Sequence, residues 1–133
     1  MQTRPDTTPD RATLGIGLFS ALAAVILAAS GAHGPLAPVE TTAIRYLDTA
    51  VTFHLFHSLA LMMLAFWPGG RGARLAVLAG MVGGTLLFSG SLYLETMSPW
   101  ALPGLITPLG GLLLIAGWST WLVAVLAGAK PRS

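Results

Sequence analysis

Cysteine is absent from the 133 residues, which removes disulfides, thiolate nucleophiles and Cys-ligated zinc or iron–sulfur centres. Charge is nearly as scarce. Only 9% of the residues are Asp, Glu, Lys or Arg, against about 25% in a soluble domain. A surface that faces water cannot be built from so few. No glycine-rich phosphate loop, no Gly-x-Ser-x-Gly elbow and no His-Glu-x-x-His pair occurs. The formal net charge is only +2, and the cations stand beside apolar segments, which argues against nucleic acid as a partner. A chain this short makes one domain and leaves no room for a separate soluble catalytic module.

What is present is apolar. Hydrophobic residues make up 54% of the chain. They gather in four runs of roughly 20 residues, the length a helix needs to cross ~30 Å of hydrocarbon. Such helices satisfy their own backbone polar groups, so the lipid bilayer is the expected solvent and partner. The expected fold is all-α, an integral membrane bundle of four transmembrane helices over residues 12–128. The helices are expected near 12–33, 43–67, 75–95 and 107–127, with a disordered tail at 1–11 and a short tail at 129–133.

The first run could be read as a cleaved signal peptide. Its apolar stretch is longer than such a segment uses, and its lead contains Asp6 and Asp10, so a retained helix is expected. Gly17, Ala21, Ala24, Ala28 and Gly31 share one face of it, and small faces let membrane helices approach closely. Gly80 and Gly84 repeat that pattern in the third run. Thr41 or Thr42 is expected to cap the second helix, which Pro68-Gly69-Gly70 ends. In the fourth run Thr107 is the expected N-cap and Pro108 the first helical residue, where a missing N–H costs nothing.

Four crossings place both termini on one side. That side collects Arg4, Arg11, Arg71, Arg74, Lys130 and Arg132, whereas the other holds Arg45 with Glu40, Asp48 and Glu95. Cytoplasmic loops are the ones enriched in Lys and Arg, so both termini are expected to be cytoplasmic. Trp67 would mark the inner interface, and Tyr93 and Trp100 the outer one.

His57 is the residue that asks for an account. It stands ten positions before Trp67, about 15 Å from the inner interface. An ionisable group at that depth is a functional hypothesis by default. His54 lies one turn outward on nearly the same face. With His33, Ser89, Ser91 and Tyr93, the two histidines form the candidate intramembrane polar set. The bland reading makes them neutral groups that bond across helices and hold register. A metal site would begin from His54-x-x-His57, but its further ligands, His33, Asp48 or Glu95, are all shallower. A haem needs ligands on opposite faces, which these two histidines do not offer. No metal or cofactor is therefore expected. A proton-coupled carrier would normally place a carboxylate at mid-depth, and Asp48 and Glu95 sit at the rim.

Five segments in order carry a family resemblance: Gly31-Ala32-His33-Gly34, Phe56-His57-Ser58-Leu59-Ala60-Leu61, Phe88-Ser89-Gly90-Ser91-Leu92-Tyr93, Ile106-Thr107-Pro108-Leu109-Gly110-Gly111 and Ala116-Gly117-Trp118. Together they resemble the bacterial domain-of-unknown-function family 423, itself similar to the eukaryotic transmembrane protein 256 family. The likeness spans residues 12 to 127 and implies a small inner-membrane protein with no assigned activity. His54 and Glu95 depart from the family pattern, where Gln and an apolar residue are usual. A metal site that needs His54 would then not be a family property. The expected role is a non-enzymatic accessory or scaffold subunit, packed against larger membrane complexes or in a homo-oligomer. The alternative is a small-molecule or ion carrier, or a quinone- or metal-binding redox component, that uses His57.

Overall fold

The computed structural model describes residues 8–34, 37–98 and 102–128, and within them the structure is helical, with no strand. Trp100, the expected outer marker, and the tail cations Arg4, Lys130 and Arg132 lie outside these residues, as do most of the two expected tails. Four helices follow one another: α1 Arg11–His33, α2 Thr41–Ala65, α3 Arg71–Met97 and α4 Ile106–Gly128. Each is long and apolar enough to cross a membrane.

The helix ends differ from the expected ones for local reasons. Asp10 caps α1, its Oδ1 accepting from Thr13 N at 3.0 Å, so the helix opens at Arg11. In α2 the N-cap is Glu40, whose side chain makes no capping bond, so neither threonine caps. This helix stops at Ala65, because a residue that precedes proline, here Trp67, avoids the α region. The start of α3 at Arg71 shows that the helix runs through both basic residues before the apolar run begins. Thr107 is not a cap either: α4 opens one residue earlier and the Thr107 hydroxyl reaches across to Ser91. Pro108 still sits in the first turn, where no i−4 carbonyl would have received its N–H.

Sequential neighbours pack in the order α1·α2, α2·α3 and α3·α4. Small residues make the outer pairs possible. On α1, Gly17 lies against the backbone of Ser58 and Met62, and Gly31 against Leu47. Between α3 and α4 the fit is closer still: a Cβ on Gly80 would stand 2.9 Å from Gly117 Cα, and one on Gly110 would strike the Phe88 backbone. These contacts also set an antiparallel register, Gly80 beside Gly117 and Phe88 beside Gly110.

Two helices are central and two peripheral. In the most apolar 18-residue stretch, 39% of the residues of α2 and α3 are buried, against 17% in α1 and α4. The exposed faces are apolar, with Phe19, Leu22 and Ile26 on α1 and Leu112, Ile115, Leu122 and Leu126 on α4. A water-soluble monomer rarely exposes so much contiguous apolar surface. One apolar cluster, Ala60, Leu61, Leu64, Val77 and Met81, fills the half nearest the α2–α3 loop. A second, Leu47, Ala50, Leu92 and Tyr93, fills the other half. His54, His57 and Ser58 lie on α2 between the two.

Candidate functional site

That middle layer holds two groups of hydrogen-bonded polar side chains, one around each histidine. The first group spans three helices. The Ser58 hydroxyl donates to the His54 carbonyl at 2.7 Å, so its single proton is committed. The 2.7 Å bond between Ser58 and Ser20 must then be donated by Ser20. With the Ser20 proton also committed, the 3.0 Å contact to His54 Nε2 requires the imidazole to donate there. A ring at this depth with no carboxylate beside it stays neutral, so Nδ1 is then bare and accepts from the Tyr93 hydroxyl at 3.2 Å. One consistent direction results, from Tyr93 on α3 through His54 on α2 to Ser20 on α1 and back to Ser58. It ends at a backbone carbonyl, and His54 is neutral with its proton on Nε2.

His57 has the opposite arrangement. Its Nδ1 lies 2.7 Å from the Phe53 carbonyl, an oxygen that can only accept, so Nδ1 carries the proton. Nε2 accepts from the Trp118 indole N–H at 3.1 Å, and an indole can only donate. Both ring nitrogens are engaged and the ring is only 3% exposed. A second proton on Nε2 would face the indole N–H and break the link to α4. Phe53 stacks on this ring and Phe56 meets it edge-on, at centroid distances of 5.9 and 5.6 Å.

The remaining sequence-predicted residues fall elsewhere. Ser91 donates to Phe88 O at 2.9 Å, so the 2.6 Å bond with Thr107 is donated by the threonine and ties the start of α4 to α3. The Ser89 hydroxyl is buried and, like that of Thr85 one turn before it, finds no partner among the described residues. His33 sits exposed in the last turn of α1, apart from the others. The structure thus joins His54 with Tyr93, sets His57 with a different helix, and brings neither to Ser89, Ser91 or His33. No group of three or more His, Asp or Glu that could hold a metal ion occurs among the described residues.

Sequence reasoning passed over Ser20 and Trp118 as partners. Ser20 follows Gly17 by three positions, on the same small face. Trp118 lies about 18 Å into α4 at 1.5 Å per residue. Interfacial tryptophans sit at helix ends, so an indole N–H at that depth signals a buried acceptor.

A groove of about 480 Å³ opens beside His57, walled by Phe53, Phe56, Leu114, Ile115 and Trp118. A second cavity of 430 Å³, with Asp48 on its wall, lies between the end of α1 and the start of α2.

At the opposite end of α1, Asp10 and Arg74 close the bundle's basic edge. Arg74 Nη1 donates to Asp10 Oδ2 at 3.1 Å, and its Nη2 donates to the carbonyls of Trp67 and Gly69. Asp10 N donates to Ala65 O at 2.8 Å. Asp10 therefore joins the start of α1 and the start of α3 through its carboxylate and the end of α2 through its backbone N–H. The bond from Thr13 N–H holds the Asp10 carboxyl below its ordinary pKa; desolvation opposes this, and Arg74 adds to it.

Comparison with known proteins agrees with this architecture. Residues 27–111 match the family model described as "Protein of unknown function (DUF423)". The chain is 37% identical over 114 residues to the UPF0382 membrane protein YwdK of Bacillus subtilis (strain 168), covering 84% of this chain and 93% of that protein. It is 32% identical over 120 residues to the UPF0382 inner membrane protein YgdD of Escherichia coli (strain K12), covering 82% and 87%. No solved structure matches. The chain belongs to the DUF423 family of membrane proteins.

Proposed function

We propose that the protein is a non-enzymatic accessory or scaffold subunit of a bacterial inner membrane, packed against larger membrane complexes or against further copies of itself. One observation carries this reading. Both intramembrane histidines have both ring nitrogens engaged within the chain, in neutral tautomers that bridge α2 to the other three helices. Their bonding capacity is taken up by holding four helices together, which leaves little for turnover. The apolar outer faces of α1 and α4 supply surface on which other membrane helices can pack. Purification from mild detergent, followed by sizing and identification of partners, tests the role. Recovery only as a lone monomer, never with partners, would count against it.

The orientation belongs to the same reading. Arg11, Arg71 and Arg74 open α1 and α3 at one end of the bundle, which supports cytoplasmic placement of both termini. Because the chain has no cysteine, single cysteines can be introduced without background. Cysteines at Arg71 and Lys130 should be protected together from an impermeant reagent added outside, and labelling of one alone would refute the topology.

A second reading, a carrier or quinone- or metal-binding component that uses His57, is supported by the groove beside that residue. On that reading His57→Phe abolishes transport or binding; survival of the activity with only a lower melting temperature rejects it.

A further inference from the structure

The two ends of the bundle differ in charge. The basic edge carries Arg11, Arg71 and Arg74 against Asp10. The opposite end carries Glu40, Asp48 and Glu95 against Arg45. At that acidic end the cavity of about 430 Å³ lies between the last turns of α1 and the first turns of α2. Its size falls within the ~300–1,000 Å³ of small-molecule pockets. Apolar groups supply most of the wall: Ala28 and Ala32 on α1, Pro38 in the loop, and Ile44 and Val51 on α2. Two polar side chains interrupt it, Asp48 and Thr52.

Asp48 differs from Asp10 in what it meets. Asp10 caps a helix and pairs with Arg74. Asp48 makes no hydrogen bond or ion pair among the described residues, although Arg45 stands one turn before it. Thr52, one turn deeper, has no hydrogen bond either, whereas the Thr49 hydroxyl closes on the Arg45 carbonyl. Neither Arg45 nor His33 lines the cavity. Asp48 stands nineteen positions before Trp67, about 28 Å at 1.5 Å per residue, close to the far limit of the ~30 Å hydrocarbon. Water and lipid meet at that level, so a molecule with a charged head and an apolar body finds both its solvents there.

The end of α1 adds to the carboxylate. Gly31 and Ala32 belong to the last turn of that helix, whose carbonyl end carries roughly half a negative charge. The Gly31 carbonyl has no helical donor to meet, because position 35 is proline and lacks an N–H. Carboxylate, hydroxyl and helix end can all accept hydrogen bonds, and two of the three are negative. A cation with N–H donors complements them; a neutral or anionic molecule does not.

We infer that this cavity binds a hydrophobic organic ammonium, with its N–H donors on Asp48, Thr52 and the end of α1 and its apolar body between α1 and α2. The site uses neither His54 nor His57 and holds under either reading of them.

A charged ligand and its neutral counterpart test it. The full chain in phosphatidylcholine nanodiscs is equilibrated with phenethylamine and, separately, with phenethyl alcohol, which has the same body and no charge; uptake by empty discs is subtracted. The expected result is several-fold tighter binding of the amine, weakening as salt is raised. Asp48→Asn keeps the shape, breaks no bond of the fold and should abolish that preference. Glu95→Gln removes the same charge from the same end, outside the cavity, and should leave it. Ala32→Phe fills the cavity and should weaken both ligands; Ala32→Leu serves if that variant does not retain its helix content. Phosphatidylethanolamine in the discs tells two sources of an ammonium apart: displacement of the bound amine assigns the site to a lipid headgroup, no displacement assigns it to a free amine, and both uphold it. Equal binding of amine and alcohol overturns the proposal. So does a preference that survives Asp48→Asn, or one that Glu95→Gln lowers as much, which would mean attraction to the acidic end as a whole.

Discussion

His54 and His57 stand one turn apart on the same helix, yet carry their protons on opposite nitrogens. The difference comes from what each ring meets. His54 faces two hydroxyl partners from α1 and α3, which can donate or accept, and a chain of committed protons decides its tautomer. His57 faces a carbonyl and an indole, neither of which has a choice. Residue type is the same and depth differs by less than one turn; the neighbouring elements set the chemistry. Between them the two rings key α2 to every other helix, at the level where two apolar clusters would otherwise meet with no directional contact.

The sharpest way to break this comparison is to remove the rings one at a time. His54→Leu deletes two interhelical bonds and leaves the buried Tyr93 hydroxyl without its acceptor. The expected loss is roughly 1–3 kcal/mol, combining an orphaned buried donor with bonds that average ~0.6 kcal/mol in membranes. His57→Phe deletes one interhelical bond and keeps the aromatic packing, so about 0.6–1.7 kcal/mol is expected. Reversible unfolding in mixed micelles measures both. A larger effect at His57 than at His54 would show that the Trp118 link, not the three-helix chain, is the main fastening.

A subtler change separates the two links within the His54 chain. Tyr93→Phe removes only the donor to Nδ1 and should cost about 0.6 kcal/mol, less than His54→Leu, since Ser20 and Ser58 stay paired. It also frees Nδ1 to take the proton. Ring nitrogen NMR should then show His54 leaving its pure Nε2–H form while His57 keeps Nδ1–H. Identical tautomers in the wild-type protein would refute the assignment of one residue and with it the contrast between the two.

The architecture was legible in the sequence, and the reason is solvent. Four runs of lipid-spanning length, small faces at Gly17 and Gly80, and Arg at one set of ends follow from what hydrocarbon accepts. Helix ends were less legible. An apolar run marks where lipid begins, whereas α3 continues as helix through Arg71 and Arg74 because arginine is a good helix former. The polar layer was visible only as a set of depths. Positions three apart differ by about 60° around a helix, enough for His54 and His57 to meet different neighbours. Periodicity places each residue on a face; it does not say which helix stands opposite. For that reason the expected set gathered Ser89 and Ser91 with the histidines, and missed Ser20 and Trp118.

The basic edge provides the weakest and most useful contrast, because there a polar contact competes with water. The Asp10 carboxyl has a folded-state pKa below its ordinary value, first through the Thr13 N–H and then through Arg74. A depressed carboxylate contributes stability that is fully present above its unfolded value, about 3.9, and that is lost as pH falls through the lower folded value. The melting temperature should therefore decline on acidification within that window and stay level above it. Asp10→Asn retains an oxygen to cap α1 but gives up the charge that Arg74 meets. At neutral pH the variant should lie close to the wild type, as exposed ion pairs contribute little. Its acid decline should be the shallower of the two. An unchanged decline would assign the pH dependence to other carboxylates and leave the middle layer, rather than the edge, as the place where side-chain polarity holds these helices together.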